Sequence, residues 1–123
     1  MARDSVVLPF RSDDHELKGK HVFRAAREIE PIITVTELAI YSQRGALPYA
    51  AIADAYAVAL KKAGATGFDA EDVFDWLYEG EGEDQNVFRV MEKLAEILVP
   101  ASARKILDRT AKPGQGGSEA DPT

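Results

Sequence analysis

Pro48-Tyr49-Ala50-Ala51-Ile52-Ala53-Asp54-Ala55-Tyr56-Ala57-Val58-Ala59-Leu60-Lys61-Lys62-Ala63-Gly64 is the stretch on which the fold of this chain turns. Proline sits at a first-turn position, where its missing N–H costs nothing. Glycine follows the last apolar residue, where a helix turns left-handed to end. Between them Ile52, Tyr56, Ala59, Leu60 and Ala63 recur at helical spacing and form one apolar stripe. The many alanines leave a shallow face that lets neighbouring helices approach closely.

Downstream, Asp69 followed by Asp72 forms a shortened capping box and opens a second helix through Trp76 and Leu77 to Gly80. Val73, Phe74, Trp76 and Leu77 are the richest aromatic cluster in the chain, and Trp76 is expected in the core. The acidic turn Glu81-Gly82-Glu83-Asp84 then sets negative charge at the N-terminus of a third helix, from about Gln85 to Val99, where the helix dipole favours it. Val87, Met91, Leu94 and Leu98 give that helix a stripe at i, i+4, i+7 and i+11. Pro100 breaks it. Ala101 to Arg109 reads as a last short helix carrying Ile106 and Leu107, and the Gly-, Pro- and acid-rich residues 110–123 as a disordered tail.

Upstream, Thr34-Val35-Thr36-Glu37 has the form of a capping box and starts a helix ending at Gly45, with Leu38, Tyr41 and Ile40 turned inward. The segment from His15 to Ala26 reads in two ways. Gly19 between two short segments, with Val22-Phe23 of strand character, suggests a small hairpin; the rival is a helix from Val22 to Glu30, stopped by Pro31. Residues 1–14 read as weakly ordered, with Ser12-Asp13-Asp14 as a turn signal. The expected fold is mainly α: a compact bundle of four to five short helices, with a small N-terminal β-hairpin on the first of those readings. Its parts are a flexible N-terminus (1–14), a single helical domain (15–109) and a disordered C-terminal tail (110–123).

Composition narrows the function classes. A chain of 123 residues holds one modest core. It carries 21 acidic against 15 basic residues, a net charge of −6, which argues against nucleic acid as a partner because such binding draws on Lys and Arg at phosphate. No Lys/Arg run interrupts that acidity. No apolar run approaches the roughly 18 residues of a membrane span, and the Met1–Phe10 patch is too short for a signal peptide, so a cytoplasmic protein with no membrane partner is expected. The absence of cysteine excludes disulfides and thiol chemistry.

Nothing in the sequence assembles catalysis. His15 and His21 could face each other only across a hairpin at Gly19, and no nucleophile or carboxylate is tied to them. The helix, acidic turn, helix outline invites comparison with a calcium hand: Glu81, Glu83, Gln85 and Glu92 fall at positions one, three, five and twelve. Position six, however, is Asn86 where glycine is needed, and the apolar stripe asks for helix already at Val87. An acidic N-terminal turn is the simpler reading. No catalytic, cofactor-binding or metal-binding residue is expected. That leaves a protein-interaction domain, with Phe74, Tyr78 and Phe88 beside the main stripes as candidate partner contacts.

The order of these elements carries a resemblance. A short hairpin over Leu17–Ala26 precedes a helix like Thr34–Arg44 and the alanine-rich helix Ala50–Leu60. A Gly-containing loop, the acidic capped helix Phe68-Asp69-Ala70-Glu71-Asp72-Val73 and a final helix Val87–Leu98 complete it. Over roughly residues 17 to 100 this resembles the small tail proteins of gene transfer agents and long-tailed phages, related to phage tail assembly chaperones. The family often has a Gly-Gly pair in the loop after the alanine-rich helix; here Ala65-Thr66 separate Gly64 and Gly67. The resemblance implies a non-enzymatic role: keeping the tape-measure protein soluble and helping tail-tube subunits polymerise around it. Homo-oligomerisation is compatible with either role. The alternatives are a helical adaptor or regulator that oligomerises through the Trp76 helix, and a degenerate calcium-binding helix-loop-helix.

Overall fold

A computed structural model describes residues 4–99, and among these the chain forms an antiparallel two-stranded hairpin and five α-helices. The hairpin pairs β1 (Val6–Phe10) with β2 (Asp13–Leu17). It is followed by α1 (Gly19–Ile29), α2 (Val35–Arg44), α3 (Tyr49–Lys62), α4 (Ala70–Leu77) and α5 (Asn86–Leu98), with a 3-10 turn at Gly82–Asp84. None of the described helices is long and apolar enough to cross a membrane. The expected helix over Ala101–Arg109 and the expected tail lie outside the described residues.

α3 is the axis of the bundle. Ile52, Ala53, Ala55, Tyr56, Ala57, Ala59 and Leu60 are all buried, because α1, α4, α5 and β2 pack around it. Its alanines admit those neighbours at close range, so the shallow face is internal and is not offered to a partner. Gly64 ends the helix at φ +94°, as the glycine there predicts.

The hairpin exists, but not where Leu17–Ala26 placed it. Val6, Leu8 and Phe10 are buried while Val7 is exposed, a period-2 alternation that makes 6–10 a strand rather than part of a weakly ordered N-terminus. Val6 faces Leu17 and Phe10 faces Asp13, so Asp13 and Asp14 belong to β2, and the turn itself is Arg11-Ser12. Arg11 takes φ +58°, with its guanidinium 4.8 Å from the Phe10 ring centroid and 3.6 Å from Asp72 of α4. Gly19 starts α1 instead of turning a hairpin. Val22, Ala25, Ala26 and Ile29 are buried at i, i+3, i+4 and i+7, so the helical reading of this segment holds and starts three residues earlier than expected.

An aromatic cluster joins the hairpin to the bundle. Trp76 is 5% exposed, meets Phe10 edge-on at 5.2 Å and lies parallel to Tyr56 at 6.0 Å. Phe68 packs on Phe10 at 5.2 Å. Tyr56 is fully buried and donates its hydroxyl to the Pro9 carbonyl at 2.6 Å, which pins β1 to α3. Tyr56→Phe keeps the packing and orphans that acceptor, so unfolding free energy should fall by about 1–2 kcal/mol in a denaturant titration. Burial, the main cause, also pushes the Tyr56 phenol well above its ordinary value. The folded state therefore holds this proton more tightly than the unfolded state. The corresponding stability is complete below about pH 10 and is lost as pH rises past it.

The caps stand where local chemistry put them. Thr34 Oγ1 accepts from the Glu37 N–H at 3.1 Å while Glu37 accepts from the Thr34 N–H at 2.9 Å, and Gly45 closes α2 at φ +72°. Asp69 and Asp72 exchange the same pair of bonds at 2.9 and 3.0 Å. α2 is otherwise loosely held: Leu38 is its one buried residue, Tyr41 is half-buried, and Ile40, expected inward, is 41% exposed. Thr34→Ala should remove about 1 kcal/mol from α2 alone. Amide exchange across Val35–Arg44 should then quicken on the order of fivefold while α3 is unchanged.

Candidate protein-binding groove

α5 carries more apolar residues than one face can bury. Val87, Val90, Leu94 and Ile97 point into the core at i, i+3, i+7 and i+10. This corrects the expected stripe: Val87 and Leu94 are buried, but Met91 and Leu98 are only partly so. α5 packs against α1, α3, α4 and β1 with Val90 and Ile97 buried, and Met91 lines the space it shares with α2.

That packing leaves a surface feature. α5 is the main packing partner of α2. Between them runs a shallow groove of about 330 Å³, lined by Val35, Leu38, Ala39 and Ser42 from α2 and by Phe88, Met91, Glu92 and Ala95 from α5. Six of these eight side chains are apolar. Phe88, 39% exposed, stands on the rim. The small side chains of Ala39 and Ala95 leave room for another helix to approach closely. An apolar trough beside a helix with a single buried anchor is suited to receiving one face of an amphipathic partner helix.

The three partner contacts expected from sequence do not converge. Phe88 borders the groove. Phe74 and Tyr78 belong to a separate cluster, where Tyr78 stacks on Tyr49 at 4.2 Å with the rings 4° from parallel, and Phe74 meets Tyr78 edge-on at 5.3 Å. Phe74 is partly buried, and Tyr78 is 46% exposed. Val35, Leu38, Met91 and Ala95 join Phe88 in the groove, although their sequence pattern does not mark them as contacts. The available signal was the width of the α5 pattern, with apolar residues at 87, 88, 90, 91, 94, 95, 97 and 98, which is two stripes rather than one.

The acidic turn does not have the form of a calcium loop. Helix starts at Asn86, within the would-be loop. Gln85 Oε1 accepts from the Tyr49 hydroxyl at 3.0 Å, and Asn86 Nδ2 donates to the Trp76 carbonyl at 2.9 Å, capping the end of α4. Glu83, Asp84 and Glu92 border an open hollow of about 370 Å³ that also holds Arg89, a cation where a metal would need carboxylates. His15 lies on β2 opposite Leu8 and His21 in the first turn of α1, so no hairpin sets them face to face. Among the described residues no group of three or more His, Asp or Glu side chains is gathered to hold an ion.

Comparison with known proteins leaves these geometric observations to stand alone: no family model, no curated protein and no solved structure matches the chain.

Proposed function

We propose that this chain is a non-enzymatic protein-interaction domain whose α2–α5 groove shelters an apolar helical stripe of a partner. Its role would be that of a phage or gene-transfer-agent tail assembly chaperone acting on a tape-measure protein and assisting tail-tube assembly. The groove carries this reading, because beside the buried Leu38 it leaves the apolar surface of Phe88, Ala39 and part of Met91 uncovered. A long client helix with an uncovered stripe aggregates, and a small acidic domain seated on it would supply both cover and charge. The net charge of −6 fits that second task. The order of capped helices that resembles the tail-assembly proteins names the client class.

Co-expression with a helical tape-measure fragment tests the reading. The fragment should stay soluble and co-purify with the wild-type chain. Phe88→Glu should release it without changing the far-UV circular dichroism or the melting temperature. Failure to co-purify, with both partners folded, would contradict the proposal. The adaptor alternative, association through the Trp76 helix, would use the outer residues of α4, because Trp76 itself is committed to Phe10 and Tyr56 inside the core.

A further inference from the structure

The outer face of α1 departs from the character of the rest of the chain. Lys20, Phe23, Arg24 and Arg27 follow helical spacing and are all exposed, with Lys18 at the N-cap beside them. No acidic residue occurs between Leu17 and Arg27, in a protein whose net charge is −6. Phe23 is 62% exposed, the most of any large apolar side chain described, and its contact of note is the Arg27 guanidinium 5.7 Å from the ring centroid. Lys18, Lys20 and Arg24 form no ion pair among the described residues, where the pairs are Arg11–Asp72, Lys62–Glu28 and Lys93–Glu96. The inner face of α1 is fixed in the core through Val22, Ala25, Ala26 and Ile29, so the cations are displayed on a rigid element.

The turn between α4 and α5 is the opposite case. Glu79, Glu81, Glu83 and Asp84 are exposed, have no ion pair among the described residues, and are not interrupted by a cation before Arg89. Tyr78, 46% exposed, stands at its start. The turn is held in shape by the Asn86 N–H to Glu79 carbonyl bond of 2.9 Å and by Asn86 capping Trp76. Each surface therefore offers four like charges beside one exposed aromatic ring, on preformed backbone. Lys20 to Arg27 spans about 10 Å along a helix.

We propose that the Phe23-bearing basic face of α1 docks a second copy of this chain through its acidic α4–α5 turn. Complementary charge steers and orients the encounter, and the Phe23 and Tyr78 rings supply apolar area at its centre. The contact joins unlike surfaces, so it closes reciprocally into a pair or propagates head-to-tail. A pairing built mainly on exposed charges is weak and salt-sensitive. It is suited to copies brought together along a shared client. The proposal is independent of what the α2–α5 groove binds.

Sedimentation velocity over a concentration series tests it on the full chain. At low ionic strength the weight-average mass should rise with concentration, and at about 0.5 M salt, where screening reaches within a few ångströms, it should return to that of the monomer. Lys20→Glu with Arg24→Glu should abolish the rise, as should Glu81→Lys with Glu83→Lys, since all four side chains are exposed and circular dichroism should be unchanged. Mixing the two double variants should restore association. A wild-type chain that stays monomeric at millimolar concentration and low salt overturns the proposal. So does association that survives either double variant, or a failure of the mixture to associate. If a labelled single-stranded oligonucleotide or anionic vesicles bind the α1 face more tightly than a second copy does, and Lys20→Glu/Arg24→Glu removes that binding, the commitment to a second copy is likewise overturned.

Discussion

Trp76→Ala is expected to lower the melting temperature by about 15 °C or more, the effect of losing about 3–5 kcal/mol from a domain of this size. The indole is 5% exposed and touches two elements distant in sequence: Phe10 on β1, edge-on, and Tyr56 on α3, in parallel. Truncation leaves a cavity that neither neighbour can fill. Tyr56 is tied to the Pro9 carbonyl, and Phe10 is held by its strand and by Phe68. The loss therefore includes the contact that seats the hairpin, and β1 amides should exchange faster in the variant than the general destabilisation alone requires. Trp76 is the single tryptophan, so the melt is followed by circular dichroism rather than fluorescence. A drop of only a few degrees would mean that the hairpin and α4 do not share one core.

Gly80→Ala is expected to be comparably damaging for a backbone reason. Gly80 holds φ +103°, and a Cβ there would lie 2.3 Å from the Asp84 carbonyl oxygen and 2.8 Å from its carbon. Both are main-chain atoms of the turn that starts α5 and cannot swing aside as a side chain would. The strained φ alone costs about 1–3 kcal/mol, and the collision adds to it, so a total of about 3 kcal/mol or more is expected. Gly64→Ala separates the two contributions. Its φ is +94° and no atom lies within 4 Å of the added carbon, so this variant should lose only the strain. Equal losses for the two variants would show that the α4–α5 turn opens to accommodate a methyl group.

How far the sequence reached depended on the range of the interactions involved. Helix ends set by neighbours three residues apart were readable from residue type: Thr34 with Glu37, Asp69 with Asp72, and the glycines at 45 and 64. The central role of the alanine-rich helix was readable too, since few other arrangements use so many small residues. The hairpin was missed at Val6–Leu17 because its partner strand is Asp-Asp-His-Glu-Leu, polar at four of five positions. Only the alternation of Val6, Leu8 and Phe10 marked it. Which of the two stripes on α5 faces inward depends on helices distant in sequence, so the spacing of Val87, Met91, Leu94 and Leu98 does not by itself reveal the groove. The basic face of α1 escaped for a related reason: Lys20, Arg24 and Arg27 are scattered along the chain and become neighbours only when wound into a helix.

Central to this account is the claim that the trough between α2 and α5 is where a partner helix lies. Nitrogen-proton correlation spectra of the labelled chain, titrated with a tape-measure peptide short enough to stay monomeric by itself, test it most directly. The predicted result is a saturable set of shifts along Val35–Arg44 and at Phe88, Met91 and Ala95, with the Phe10, Tyr56 and Trp76 core unmoved. Saturable binding whose shifts gather at Tyr49, Phe74 and Tyr78, and leave the trough untouched, would contradict it.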